Sequence, residues 1–186
     1  MIMKIILASA SPRRKELLKQ VVKDFEIIPA SGEEKANTAL PPEQIVCALA
    51  ESKCCEVFEK YPDSVVIGCD TIVYYKGKVL GKPKSRAEAE KTLKELSGKT
   101  HSVYTGVCIR SPERRIAGYD ETEVTFNELS DGFIKSYVDG GSPMDKAGCY
   151  GIQDGGVVKS YKGSYTNVVG LPLELVEKML KEVLVV

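Results

Sequence analysis

Apolar and polar positions follow two rhythms along this chain, and the switches between them mark out strands and helices. The opening run Met3-Lys4-Ile5-Ile6-Leu7-Ala8 is apolar and β-compatible, and it ends in Ser9-Ala10-Ser11-Pro12-Arg13-Arg14. Pro12 suits the first turn of a helix, and Leu17, Leu18 and Val21 follow it at helical spacing. Residues 25–29 read as a second strand and 31–42 as a polar, acidic loop, after which Pro42 opens a long helix to about residue 61. A β-rich run at 64–75, a turn at 76–77 and a short strand at 79–83 stopped by proline form a hairpin. Ser85-Arg86-Ala87-Glu88 is a capping box; the helix it starts carries Ala89, Leu93 and Leu96 and is closed by Gly98. Residues 101–109 and 116–126 alternate like antiparallel strands around a turn at 112–114, and Ser130 caps a helix to about 138. A Gly-rich loop at 140–156, a strand at 157–161 and a last helix at 171–184, with Pro172 in its first turn, complete the pattern. The order is mixed α/β, and hairpins among βα units argue against a purely parallel sheet.

Composition narrows what such a fold can do. The 186 residues suit one domain, or two lobes sharing a sheet, with no linker, repeat or low-complexity segment. Lys plus Arg and Asp plus Glu are 26 each, so no global field recruits nucleic acid or an anionic membrane, and any polyanion site is local. A small phosphorylated ligand fits better than a duplex. The apolar stretches stop short of the roughly 20 residues a membrane span needs, and the N-terminus lacks an adequate secretory core, so a cytoplasmic protein is expected. Six cysteines without a secretory signal or a C-x-x-C pair read as reduced, packing thiols. The single His101 cannot build a multi-histidine site; a metal, if one acts, is a hard, carboxylate-held ion such as magnesium or manganese.

A few residues sit in places that stability alone does not explain. The Ser9 to Arg14 loop joins a strand to a helix N-terminus, where free N–H groups, serine hydroxyls and arginine forks together favour an anion; a serine cap beside two solvated arginines is the plainer alternative. On the helix from Pro42, Lys53 falls in the middle of the stripe Val46, Leu49, Ala50 and Val57; it either snorkels along a rim or points into a phosphate pocket. In Val65-Val66-Ile67-Gly68-Cys69-Asp70-Thr71-Ile72-Val73 one carboxylate interrupts a buried strand, so Asp70 needs a cation, a metal or a cleft. Gly68, on the same strand face, is expected to leave room for a cleft beside it. Lys82 follows the hairpin, weak by itself. The segment Asp145-Lys146-Ala147-Gly148-Cys149-Tyr150-Gly151-Ile152-Gln153 ends glycine-lined backbone in an amide that can both donate and accept, which suits reading the edge of a base.

Taken in order, these motifs, with Glu34 in the acidic loop, Glu51-Ser52-Lys53, Gly81-Lys82-Pro83 and Gly163-Ser164-Tyr165-Thr166-Asn167-Val168-Val169-Gly170-Leu171-Pro172, resemble the Maf family of nucleoside triphosphate pyrophosphatases over almost the whole chain. The resemblance implies a two-lobed α/β fold, related to inosine triphosphate pyrophosphatases, with a curved mixed sheet flanked by helices and the nucleotide in a cleft between lobes. It also implies a divalent cation and a homodimer. By the same resemblance Asp70 is the proton acceptor, Ser9, Arg13, Arg14, Lys53 and Lys82 hold the triphosphate, and Glu34 assists Asp70 at the metal. Branches of the family differ at three positions occupied here by Arg13, Thr71 and Gln153, a set that resembles the dTTP/UTP pyrophosphatases rather than the 7-methyl-GTP branch. A neutral amide pairs with the donor and acceptor edge of uracil or thymine. Ser31-Gly32, where many relatives carry aspartate nearby, departs from the pattern.

The expected reaction is attack of water, activated by Asp70, on the α-phosphorus of dTTP or UTP, giving the monophosphate and pyrophosphate. Two rivals belong beside it. The Leu7 to Arg13 segment distantly resembles a nucleotidyltransferase triphosphate loop but lacks its glycines, and a regulatory protein acting on cell division by contact needs no chemistry at all.

Overall fold

A computed structural model describes residues 3–32 and 35–184. Strand β1 (Ile5–Leu7) leads into helix α1 (Pro12–Leu18), then β2 (Glu26–Ile27), the long α2 (Pro42–Lys60), β3 (Val65–Tyr75) and β4 (Lys78–Leu80). Helix α3 (Arg86–Leu96), the hairpin β5 (Thr100–Arg110) and β6 (Arg115–Phe126) and α4 (Asp131–Asp139) follow. Two 3-10 turns, Ser142–Asp145 and Ala147–Cys149, then precede β7 (Val158–Lys162), α5 (Tyr165–Val169) and α6 (Leu173–Leu184). The seven strands form one mixed sheet in the order β2-β1-β3-β5-β6-β7, with β4 paired to β3. β1 runs parallel to β2 and β3, and the remaining pairs are antiparallel.

The elements end for local reasons. Ser11 accepts from the Arg14 N–H, Ser85 from Glu88 and Ser130 from Phe133, so three helices begin at the hydroxyl caps that the sequence offers. Three expectations need adjustment. Helix α1 stops at Leu18, before Val21; β4 ends at Leu80 rather than running to the proline; and the Gly-rich loop contains two short 3-10 turns. Helix α5 was not anticipated, because Thr166, Val168 and Val169 are β-branched; it forms because Ser164 caps the Asn167 N–H and Gly170 closes the other end.

Helices cover both faces. On one face α2 lies along β1, β3 and β5, burying Ile6, Ala50, Cys54, Val57 and Val66. It lies close because Gly68 and Gly106 carry no side chains: a Cβ on Gly68 would sit 2.4 Å from the Ala50 carbonyl oxygen, and one on Gly106 2.2 Å from that of Val46. The room that Gly68 leaves is therefore filled by the α2 backbone, not by a cleft. On the other face two apolar clusters divide the sheet. One packs α1 and α6 on Leu7, Ile67, Cys69 and Val107; the other packs α3 and α4 on Val73, Val103, Val124 and Phe126. Thr71 lies between them on the strand.

Among the described residues no helix is long and apolar enough to cross a membrane. All six cysteines are free; Cys54, Cys69, Cys108 and Cys149 are buried, and Cys47 and Cys55 are partly exposed.

Candidate active site

β3 is paired without a break from Val66 to Tyr74 on one side and split on the other. β5 follows it from Val66 to Tyr74, but on the opposite edge β1 pairs only with Val65, Val66 and Ile67, and β4 only with Val73, Tyr74 and Tyr75. Residues 68–72 thus form an edge with no strand beside it, and Asp70 is its midpoint. The Val65 N–H and Ile67 carbonyl bond toward β1, so strand alternation turns the backbone groups of Cys69 and Thr71 toward the same opening.

Two adjoining hollows fill that opening. One, of 160 Å³, is lined by Asp70, Thr71, Lys146, Tyr150 and Gln153 among others; the second, of 320 Å³, is lined by the Ala8 to Arg14 loop with Pro29 and Ala30. They share Ser11, Arg13, Arg14, Lys53, Lys82 and Asp145 as walls. The structure thus brings Ser9, Arg13, Arg14, Lys53, Asp70, Thr71, Lys82 and Gln153 to one cleft. Glu34 lies outside the described residues. A larger hollow of 1190 Å³ between α1, β2 and α6 contains none of these and has an apolar floor that includes Val22, Phe25 and Leu180.

Lys53 reaches across from α2 and contacts Asp70 Oδ1. Both side chains are mostly buried, 25% and 18% exposed, so the pair faces the cleft rather than bulk water. The Ser9 hydroxyl accepts from the Ser11 N–H at 3.3 Å and from Arg14 Nη1 at 3.2 Å, which leaves its own proton to donate to an anion. Arg14 is braced on three sides, by Ser9, by the Gly170 carbonyl at 2.8 Å from Nε and by Thr71 Oγ1 at 3.0 Å from Nη2. Thr71 donates in turn to Thr105 Oγ1 at 2.9 Å, and Thr105 to the Asn167 carbonyl at 3.0 Å. Both halves of the Thr71 hydroxyl are therefore used in holding Arg14.

Arg13 bridges the cleft to Asp145 Oδ2 at 2.9 Å, and Lys146 reaches the other carboxylate oxygen at 2.8 Å. Burial works to raise the Asp145 carboxyl; Lys146 and Arg13 outweigh it and hold the group down at about 2. Ser31 and Gly32 in the acidic loop donate to the Glu56 carboxylate, which these bonds, led by the Ser31 hydroxyl, lower to about 2. That pins the described start of the loop to α2. Sequence reasoning missed Thr105 and the helix that positions Asn167, and it overlooked Asp145 as a partner for Arg13.

A divalent cation is testable against this donor set. No group of three His, Cys, Asp or Glu side chains among the described residues could hold an ion. Asp145 is committed to two cations, while Lys53 touches one of the two Asp70 oxygens. This fits a hard ion that shares one protein carboxylate with phosphate oxygens of a ligand and does not fit a dedicated protein cage.

A sheet opened at one edge, with arginine, lysine and hydroxyl groups converging on Asp70 and Asp145, defines an α/β protein with a cationic cleft whose size and charge suit a small anion. The chain belongs to the Maf-like protein family, whose model matches residues 4–183. Among its relatives are proteins named dTTP/UTP pyrophosphatase from Bacillus anthracis, Bacillus cytotoxicus and Bacillus cereus, each 48% identical over 181 residues, covering 96% of this chain and 95% of theirs. A solved nucleoside-triphosphatase, a dITP/XTP pyrophosphatase from Mycobacterium abscessus, aligns over 99% of this chain and 100% of its own at 14% identity and a TM-score of 0.45.

Proposed function

We propose that this protein is a cytoplasmic pyrophosphatase that hydrolyses dTTP and UTP to the monophosphate and pyrophosphate, working as a single two-lobed domain and as a homodimer. The observation that carries the reading is Asp70 at the middle of the unpaired β3 edge, held by Lys53 and faced by the Ser9 to Arg14 loop and Lys82. The name carried by relatives at 48% identity supports the choice of substrate.

In this reading the triphosphate lies along the 320 Å³ hollow, where the Ser9 proton, the Arg13 fork and Lys82 meet its oxygens. Asp70 accepts a proton from water as that water's oxygen bonds to the α-phosphorus. The bond from the α-phosphorus to the bridging oxygen breaks, and pyrophosphate leaves with the charge, which Lys53, Arg13 and Lys82 stabilise. Arg14, held through Nε, Nη1 and Nη2, fixes the shape of the phosphate loop and has two further N–H groups to offer the triphosphate. The base falls on the Gln153 side, against Val73, Val103 and Tyr150. Asp70, with Glu34 as a second candidate, would hold a magnesium or manganese ion together with the phosphates, and the ion supplies charge neutralisation on the phosphoryl oxygens.

Asp70→Asn removes the proton acceptor while keeping the side chain's size. Turnover of UTP should fall by about 10²-fold or more, with nucleotide binding still measurable by calorimetry. Near-normal turnover would assign the base elsewhere.

A further inference from the structure

The segment that carries Gln153 is held by hydrogen bonds whose directions are all fixed. The Asp154 N–H closes a turn on the Gly151 carbonyl at 3.0 Å, with Gln153 inside it. Asp154 Oδ2 receives two hydroxyls, Tyr137 OH and Ser142 Oγ, each at 2.6 Å. A carboxylate only accepts, so both protons point at it. The Tyr137 oxygen is then left to accept the Gly151 N–H at 3.2 Å, and the Ser142 oxygen to accept Lys146 Nζ, also at 3.2 Å.

One tyrosine on α4 thereby grips the residues on both sides of the Gln153 turn, Gly151 directly and Asp154 by its proton. Burial raises the Tyr137 phenol and the bond to Asp154 raises it further, so it stays a donor at neutral pH. Burial also raises Asp154, but the Ser142 and Tyr137 bonds outweigh it and leave the carboxyl below its ordinary value. Tyr137, Ser142 and Asp154 do not line the cleft themselves. The Tyr137 ring is stacked on Phe133, with centroids 5.9 Å apart and planes at 18°, so the ring has a support that does not depend on its hydroxyl.

We propose that Tyr137 is a positioning residue for base recognition: through Asp154 and Gly151 its hydroxyl holds the turn that presents Gln153 to the cleft, and so sets the preference for a pyrimidine. The proposal rests on the pyrimidine triphosphate reading above. A charge-assisted anchor of this kind matters because Gly151, Gly155 and Gly156 leave the segment little intrinsic stiffness.

The test is steady-state hydrolysis of UTP and GTP by the wild type and by Tyr137→Phe, with inorganic tripolyphosphate as a competitive inhibitor that has no base. The variant should show a UTP KM raised about fivefold with kcat within about twofold, and a UTP-over-GTP ratio of kcat/KM reduced about fivefold. Inhibition by tripolyphosphate should be unchanged. Ser142→Ala, which removes the other proton donated to Asp154, should move the ratio in the same direction and serves if Tyr137→Phe folds poorly. A selective wild type whose ratio survives in both variants, or equal losses for UTP and GTP, overturns the proposal alone. A wild type indifferent to the base overturns the pyrimidine reading, and the proposal with it.

Discussion

Thr71 spends its hydroxyl on two neighbours, and the order of that chain is dictated by its last member. A carbonyl only accepts, so Thr105 donates to Asn167, Thr71 donates to Thr105, and the Thr71 oxygen is left for Arg14. Thr105, fully buried, is thus part of the support of the Ser9 to Arg14 loop from two hydrogen bonds away. Thr105→Val should strand the Thr71 proton and the Asn167 oxygen, costing about 1–3 kcal/mol in a urea unfolding series and raising the KM for UTP several-fold; Thr105→Ser should recover both. Ser9, Arg13, Arg14, Lys53 and Asp70 were legible in the sequence because charge or hydroxyl groups break an apolar pattern there. Thr105 was not, since a threonine in a strand reads as β preference and its partners are 34 and 62 residues away. Asp145 was hidden for a related reason: an aspartate in a Gly-rich loop looks solvated until Arg13 is seen across the cleft.

At the scale of elements, α2 shows where a sequence pattern is reliable and where it misleads. Pro42 and the apolar spacing foretold the helix, and the structure gives Pro42–Lys60. The glycine near Asp70 foretold empty space, and instead it admits a backbone. Period-2 reading shows which face a glycine belongs to, but only packing shows what fills the place of its side chain. Gly106→Ala should push α2 off the sheet at Val46, costing about 1–3 kcal/mol by overpacking, and should lower UTP turnover because Lys53 rides on the same helix. Thermal unfolding and kcat, measured on one preparation, check both. Helix α5 was illegible because its signal is two end residues, Ser164 and Gly170, around a β-favouring middle; the decision was made by capping and by Asn167, buried and donating to the Val103 carbonyl at 3.1 Å.

Across the whole molecule the cleft is a consequence of how seven strands share one sheet. The two apolar clusters on one face meet the split edge of β3 at Thr71, so the opening that gathers the polar side chains is also the boundary between cores. A buried residue packed on Phe126 and Tyr150 of the second core makes stability respond to pH. Burial holds His101, the sole histidine, down at about 4, with Nε2 hydrogen-bonded to the Tyr150 hydroxyl at 2.7 Å. As pH falls the unfolded chain takes this proton first, near 6.5, so His101's contribution is full above that value and drains away between 6.5 and about 4. The loss is on the order of 3 kcal/mol across that window, the upper part of which lies above the ordinary carboxylate range. Urea unfolding at stepped pH should show it, and His101→Gln should flatten the curve between pH 5 and 6.5.

Attack at the α-phosphorus by water activated at Asp70 is the central step of the proposed reaction. The most direct measurement is hydrolysis of UTP with magnesium or manganese in water enriched in oxygen-18, with the products resolved by mass spectrometry. The prediction is UMP carrying one heavy oxygen and pyrophosphate carrying none. Heavy oxygen in the pyrophosphate, or products that are UDP and phosphate, would contradict it.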